Sequence, residues 1–196
     1  MDQKKIKNHF KKVDSVIHQV MEDMDLRQWV DQSKRDYFTA LCEDIIGQQL
    51  SGKVADVIFS RFEKLFPKKQ ITPARILTLT DQQIRDIGTS WAKVKYLKDL
   101  AKQVKDKTIK LGQLDQLADD RVITELTKIK GIGPWTAEMF LIFTLKREDI
   151  FSLGDLGLKK AIAKLYGQRK IELIINQWAP YKSFGCLALW HSLDNV

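Results

Sequence analysis

Leu126-Thr127-Lys128-Ile129-Lys130-Gly131-Ile132-Gly133-Pro134-Trp135-Thr136-Ala137 sets two glycines around one apolar residue and then leads, through a proline, into an apolar run. Glycine accepts backbone turns that other residues resist, so the stretch predicts two helices joined tightly, with Ile132 tucked beneath as a plug. Proline suits the first position of a helix, which makes Gly133 the point where the second helix begins. Backbone N–H groups at such a start carry partial positive charge and can hold a phosphate without any side chain. Glycine is also common in plain helix–helix turns. The full run, apolar-Lys-Gly-Ile-Gly-Pro before an apolar helix, favours phosphate binding by Lys130, Gly131, Ile132 and Gly133. A grip of that kind holds nucleic acid without reading its sequence.

Outward from the hairpin the pattern is helical almost throughout. Ile6, Phe10, Val13, Ile17, Val20 and Met24 recur at steps of four and three and predict one stripe on a first helix. Tyr37–Leu50 is a second apolar segment, and Val54, Val57, Ile58, Phe62 and Leu65 mark a third that Pro67 stops. Thr72-Pro73, the capping-box pattern Thr80–Gln83 and Ser90 each announce a further helix, and Gly88 closes a short one. Period-two runs are absent. The fold expected is all-α, a compact two-lobed helical bundle without a β domain. Its central lobe spans about 36–150 and holds the hairpin 126–137, with N- and C-terminal helices forming the second lobe.

With 196 residues, 44% of them hydrophobic, the chain can bury a sizeable core, as one domain or two closely packed lobes. Its longest apolar stretches, such as Met139–Leu145, are too short to span a bilayer. Lysines interrupt the N-terminus, so no secretory segment is expected there. A net charge of +8 suits a polyanionic partner and equally suits a merely soluble surface. Cys42 and Cys186, each among apolar neighbours, read as buried free thiols, which fits an intracellular location. His9, His18 and His191 form no zinc-ligand spacing with them.

Beyond the helix that follows the hairpin runs Asp149-Ile150-Phe151-Ser152-Leu153-Gly154-Asp155-Leu156-Gly157-Leu158-Lys159-Lys160. An aspartate before a helix is most often an N-cap. The hairpin and this Gly-Asp loop together resemble the helix-hairpin-helix DNA glycosylases, over roughly Asp44 to Trp190. The similarity is nearest to the branch of the bacterial inducible 3-methyladenine enzyme and its yeast counterparts.

That resemblance implies an enzyme that removes alkylated purines from duplex DNA in base excision repair, with Asp155 as the catalytic group. A carboxylate beside the sugar can stabilise oxocarbenium-like charge and position water. Family members that also cut the strand carry a lysine where Trp135 stands, so no lyase step is expected. The resemblance implies a base pocket of Trp135, Trp190, Met139, Leu156 and Gly157, although the bacterial relative has tyrosines at the places of Met139 and Leu156. It implies a minor-groove wedge at Gln49 or Leu50. It further implies a structural Na⁺ or K⁺ on the carbonyls of Thr127, Ile129 and Ile132. No cofactor is required, and two cysteines cannot build the iron–sulfur loop of some relatives. The β-rich N-terminal lobe of the bacterial relative has no counterpart. The expected partner is damaged double-stranded DNA, met by a cytoplasmic or nucleoid-associated monomer without membrane contact. Two other readings stay open: a glycosylase for hypoxanthine, uracil or mismatches, and a non-catalytic DNA-binding module.

Overall fold

The apolar stripe from Ile6 to Met24 is cut at Asp14 in the structure, a computed structural model that describes residues 2–30 and 36–194. Asp14 is extended (φ −156°, ψ 94°), and its Oδ1 accepts the Val16 and Ile17 N–H groups at 3.1 and 3.2 Å. It thereby ends α1 (Gln3–Val13) and caps α2 (Ser15–Met21). An aspartate side chain offers nearby amides an acceptor in place of a carbonyl, so it starts helices and interrupts them. The break shifts the phase: Ile17 and Met21 are fully buried, whereas Val13, Val20 and Met24 are half-buried.

α3 (Arg27–Val30), α4 (Tyr37–Gly47), α5 (Gly52–Glu63), α6 (Pro73–Thr78), α7 (Asp81–Asp86), α8 (Trp91–Lys105) and α9 (Asp119–Leu126) follow. Then come α10 (Pro134–Phe143), α11 (Leu156–Tyr166), α12 (Ile171–Ile175) and α13 (Lys182–Asp194). No strand occurs among the described residues, in keeping with the all-α expectation. The chain forms two units, one continuous (34–140) and one assembled from both ends (1–33 and 141–196). The border lies at Phe140 rather than near 150. The loop after α10 bonds within the second unit: Arg147 N–H donates to Leu141 O at 2.9 Å, and the Ser183 hydroxyl donates to Arg147 O at 2.6 Å.

In the continuous unit α8 is the hub. α4, α6 and α7 pack on it, over the fully buried Val94, Leu97, Leu100 and Ala101. The predicted caps form: Thr72 and Ser90 side chains accept the N–H groups of Arg75 and Lys93, and Thr80 with Gln83 makes a reciprocal capping box. Such caps contribute about 1 kcal/mol each. On α5 only Ile58 and Phe62 turn inward, while Val54 and Val57 are exposed, so the apolar face expected there is narrower.

The second unit closes around the other carboxylate oxygen of Asp14. Tyr166 Oη and Trp178 Nε1 each donate to its Oδ2 at 2.8 Å, and Gln177 Nε2 donates at 3.2 Å. Burial, reinforced by the bond to Asp14, pushes the Tyr166 phenol well above its ordinary pKa. Trp178 is fully buried against Gly185 of α13, where any Cβ would collide with its ring. Cys42 and Cys186 are both buried thiols outside any disulfide, and burial pushes the Cys42 thiol up. No helix among the described residues is long and apolar enough to cross a membrane.

Candidate functional site

α9 ends at Leu126, and the chain then tightens. Ile129 N–H donates to Leu126 O and Ile132 N–H to Ile129 O, each at 3.1 Å, and both isoleucines are buried. Ile132 is therefore the plug the sequence predicts. Gly131 sits at φ +85°, where side chains are disfavoured, and the Tyr96 ring of α8 fills the space a Cβ would need. Asp99 of α8 accepts the Lys130 N–H at 3.0 Å and lies 3.8 Å from the exposed Lys130 ammonium.

Two turn amides, of Lys130 and Ile132, are thus engaged internally. Those of Gly131 and Gly133 donate to no protein acceptor among the described residues. They stand at the start of α10, the positive end of its dipole. The Thr127 and Ile132 carbonyls accept no backbone bond among the described residues, and Ile129 O accepts one, from Ile132. Oxygen donors of this kind fit a monovalent cation.

The segment 45–51 approaches the hairpin from α4. Gln48 Nε2 donates to Gly131 O at 2.8 Å and reaches Thr136 Oγ1 at 3.4 Å. Lys93 of α8 donates to Ile46 O and Gln48 O at 2.8 and 2.7 Å, and burial holds its ammonium below the usual lysine value. Gln49 is exposed in the left-handed region (φ 59°), and Leu50 beside it is exposed as well. On α10, Trp135 is 44% exposed and Met139, one turn on, is half-buried.

In the other unit Asp155 caps α11. Its Oδ1 accepts the Leu158 N–H at 2.8 Å and the Trp190 Nε1–H at 3.3 Å, and the residue is 7% exposed. Gly157 lies against that pair: a Cβ there would sit 3.1 Å from Asp155 Oδ1 and 3.3 Å from Trp190 Nε1. Any larger residue would push carboxylate and indole apart. Leu156 points outward at 79% exposed. The Trp190 ring tilts against Phe143, centroids 5.6 Å apart, and both line a cavity of about 400 Å³ with Met24, Leu26, Trp29 and Leu187. Asp155 is thus the N-cap that its place before a helix predicts, and the same buried carboxylate stands beside the Trp190 indole.

Asp155, Gly157 and Trp190 are therefore brought together, as are the hairpin residues. The sequence reading missed Gln48, Lys93, Tyr96, Asp99 and Phe143. Phe143 extends the row Trp135, Met139 at a helical step, a usable signal. Gln48, Tyr96 and Asp99 touch the hairpin, and Lys93 touches the end of α4, all from distant positions that leave no local trace.

An all-helical scaffold with a glycine hairpin opening one helix and a buried aspartate capping the next defines a class of nucleic-acid repair proteins. The chain belongs to the HhH-GPD superfamily of base excision DNA repair proteins, whose family profile matches residues 42–177. A DNA-3-methyladenine glycosylase of Saccharomyces cerevisiae is 38% identical over 150 residues, covering 69% of this chain and 48% of its own length. The crystal structure of a Bacillus halodurans DNA-3-methyladenine glycosidase superposes with a TM-score of 0.82 at 32% identity, over 99% of this chain and 91% of that one. A Schizosaccharomyces pombe 3-methyladenine DNA glycosylase, solved with abasic DNA, gives 0.81 at 26% identity, over 97% of both chains. The chain spans 59%, 61% and 48% of the length of three curated relatives it matches.

Proposed function

We infer that this chain is a monofunctional DNA glycosylase that hydrolyses the N-glycosidic bond of alkylated purines, of the 3-methyladenine and 7-methylguanine kind, in duplex DNA. The observation that carries this reading is Asp155: a buried carboxylate held by the Leu158 amide and the Trp190 indole, in a chain of the base excision repair family. The names of its relatives support the same substrate class.

As the sugar–base bond breaks, positive charge develops on the deoxyribose. A carboxylate fixed in advance stabilises that charge without reorganising and orients the attacking water. A 3- or 7-alkylated purine already carries positive charge and leaves readily, so the reaction needs no general acid. Trp135 supplies no amine for a Schiff base, so the product is an abasic site.

The target nucleotide must leave the stack. Trp135, Met139, Leu156, Gly157 and Trp190 receive it, and indole faces favour a cationic purine over a neutral one. Gln49, with Leu50 beside it, fills the gap left behind. The Gly131 and Gly133 amides and the Lys130 ammonium hold the phosphate. A bound Na⁺ or K⁺ on the Thr127, Ile129 and Ile132 carbonyls would add positive charge beside that phosphate. The enzyme works as a monomer on cellular DNA.

The test is release of free bases from methylated duplex by the purified chain, beside Asp155→Asn. Release by the wild type alone supports the reading. If both bind duplex and neither frees a base, the catalytic reading falls and a phosphate-gripping module remains.

A further inference from the structure

Gln48 belongs neither to the phosphate grip nor to the chemistry at Asp155, yet its side chain joins the turn at 47–51 to the glycine hairpin. That turn ends α4 with Gln48 N–H on Asp44 O at 3.2 Å and Leu50 N–H on Gly47 O at 3.1 Å. The Gly131 carbonyl can only accept, so the NH₂ end of the Gln48 carboxamide must face it, at 2.8 Å. Thr136 Oγ1 lies 3.4 Å from the same nitrogen. Lys93 braces the turn from the other side, its ammonium on two carbonyls at the C-terminal end of α4, where a cation is favoured.

Between these two clamps stands Gln49 at φ 59°, a conformation that a residue with a Cβ enters at a cost. An unclamped turn would sample other conformations, and ordering it would draw on the free energy of binding. Resting on the reading above, we propose that Gln48 is a positioning residue. It ties the turn that carries Gln49 to the hairpin that holds the phosphate, so both engage the duplex as one preorganised piece.

Gln48→Leu keeps the bulk and removes the donor, while Gln48→Glu sets a carboxylate against the Gly131 carbonyl. Two readouts compare both with wild type: single-turnover release of 7-methylguanine, and fluorescence of 2-aminopurine placed beside a tetrahydrofuran abasic analogue. In Gln48→Leu, rate and fluorescence change should each fall about tenfold, the scale of a small misplacement. Melting temperature and affinity for undamaged duplex should stay close to wild type, and Gln48→Glu should lose more.

An unchanged rate and fluorescence change in Gln48→Leu overturns the proposal. So does a matching loss of melting temperature and undamaged-duplex affinity, because that marks a bond that only holds the fold. If the wild type frees no base, the functional reading fails by itself. The fluorescence arm needs unstacking but no excision, and it still decides whether Gln48 couples the two segments.

Discussion

In the hairpin side chains hold a backbone turn in place; around Asp155 the roles are reversed, and a backbone amide holds a side chain. Gly131 and Gly133 present amides while Tyr96, Asp99 and Gln48 hold the turn in shape. At α11 the Leu158 amide holds a side-chain carboxylate, the group proposed to act on the sugar. A backbone site should therefore be sensitive to an added Cβ and tolerant of side-chain removal. A side-chain site should fail when one atom's charge is removed, even with its fold intact.

The sharpest test of that contrast is Asp155→Asn. Its amide oxygen can still accept the Leu158 N–H, so the cap survives and the melting temperature should hold. Base release in single turnover should fall by about a thousandfold, because the developing charge loses its anion. An unfolded variant would break the comparison by showing that the carboxylate is mainly structural.

Gly131→Ala should act in the opposite way. A left-handed backbone and the Tyr96 ring both oppose the methyl group, and unfolding in urea should show a loss of about 3 kcal/mol. Duplex affinity should drop with it. Stability within 0.5 kcal/mol or so of wild type would mean that the turn adapts, and the backbone account would fail.

Asp14→Ala asks whether a carboxylate matters by its chemistry or by its bonds. Asp14 accepts from five donors, those of Val16, Ile17, Tyr166, Gln177 and Trp178. Stability should fall by about 2 kcal/mol, with the catalytic rate of the folded fraction unchanged. A rate loss beyond the unfolded fraction would erase the distinction from Asp155. The smallest effect belongs to Lys130→Ala, whose ammonium is exposed and only loosely paired with Asp99. Duplex affinity should weaken a few-fold, alike for all sequences, and the slope of log affinity against log salt should lessen by about one. An unchanged slope would remove Lys130 from the grip.

Local signals were legible in the sequence: the caps at Thr72, Thr80 and Ser90, the start of α11 at Asp155 and the hairpin itself all depend on residues within four positions of each other. The break at Asp14 was not, because apolar spacing continues across it and only the capping geometry reveals that the phase has slipped. Val54 and Val57 share the spacing of Ile58 and Phe62, and only the position of neighbouring helices decides which of them turn inward. The adjacent glutamines show the same limit. Gln48 reaches Gly131 and Gln49 is left exposed because the left-handed step falls between them, and periodicity carries no information about that.

The bonds that Asp14 makes to Tyr166, Gln177 and Trp178 also set an order of events during synthesis. The unit they close is built from two stretches that flank residues 34–140, while residues 34–140 are written in one piece. As the chain leaves the ribosome, the continuous piece can complete its core while the first helices wait for partners still untranslated. A chain stalled near residue 180 should then resist protease over 34–140 and be cut readily before it; equal protection of both would show that the first helices do not wait. Through that interval the charge on Asp14 favours water over any premature apolar contact, so the group that later seals the second unit first keeps its neighbours apart.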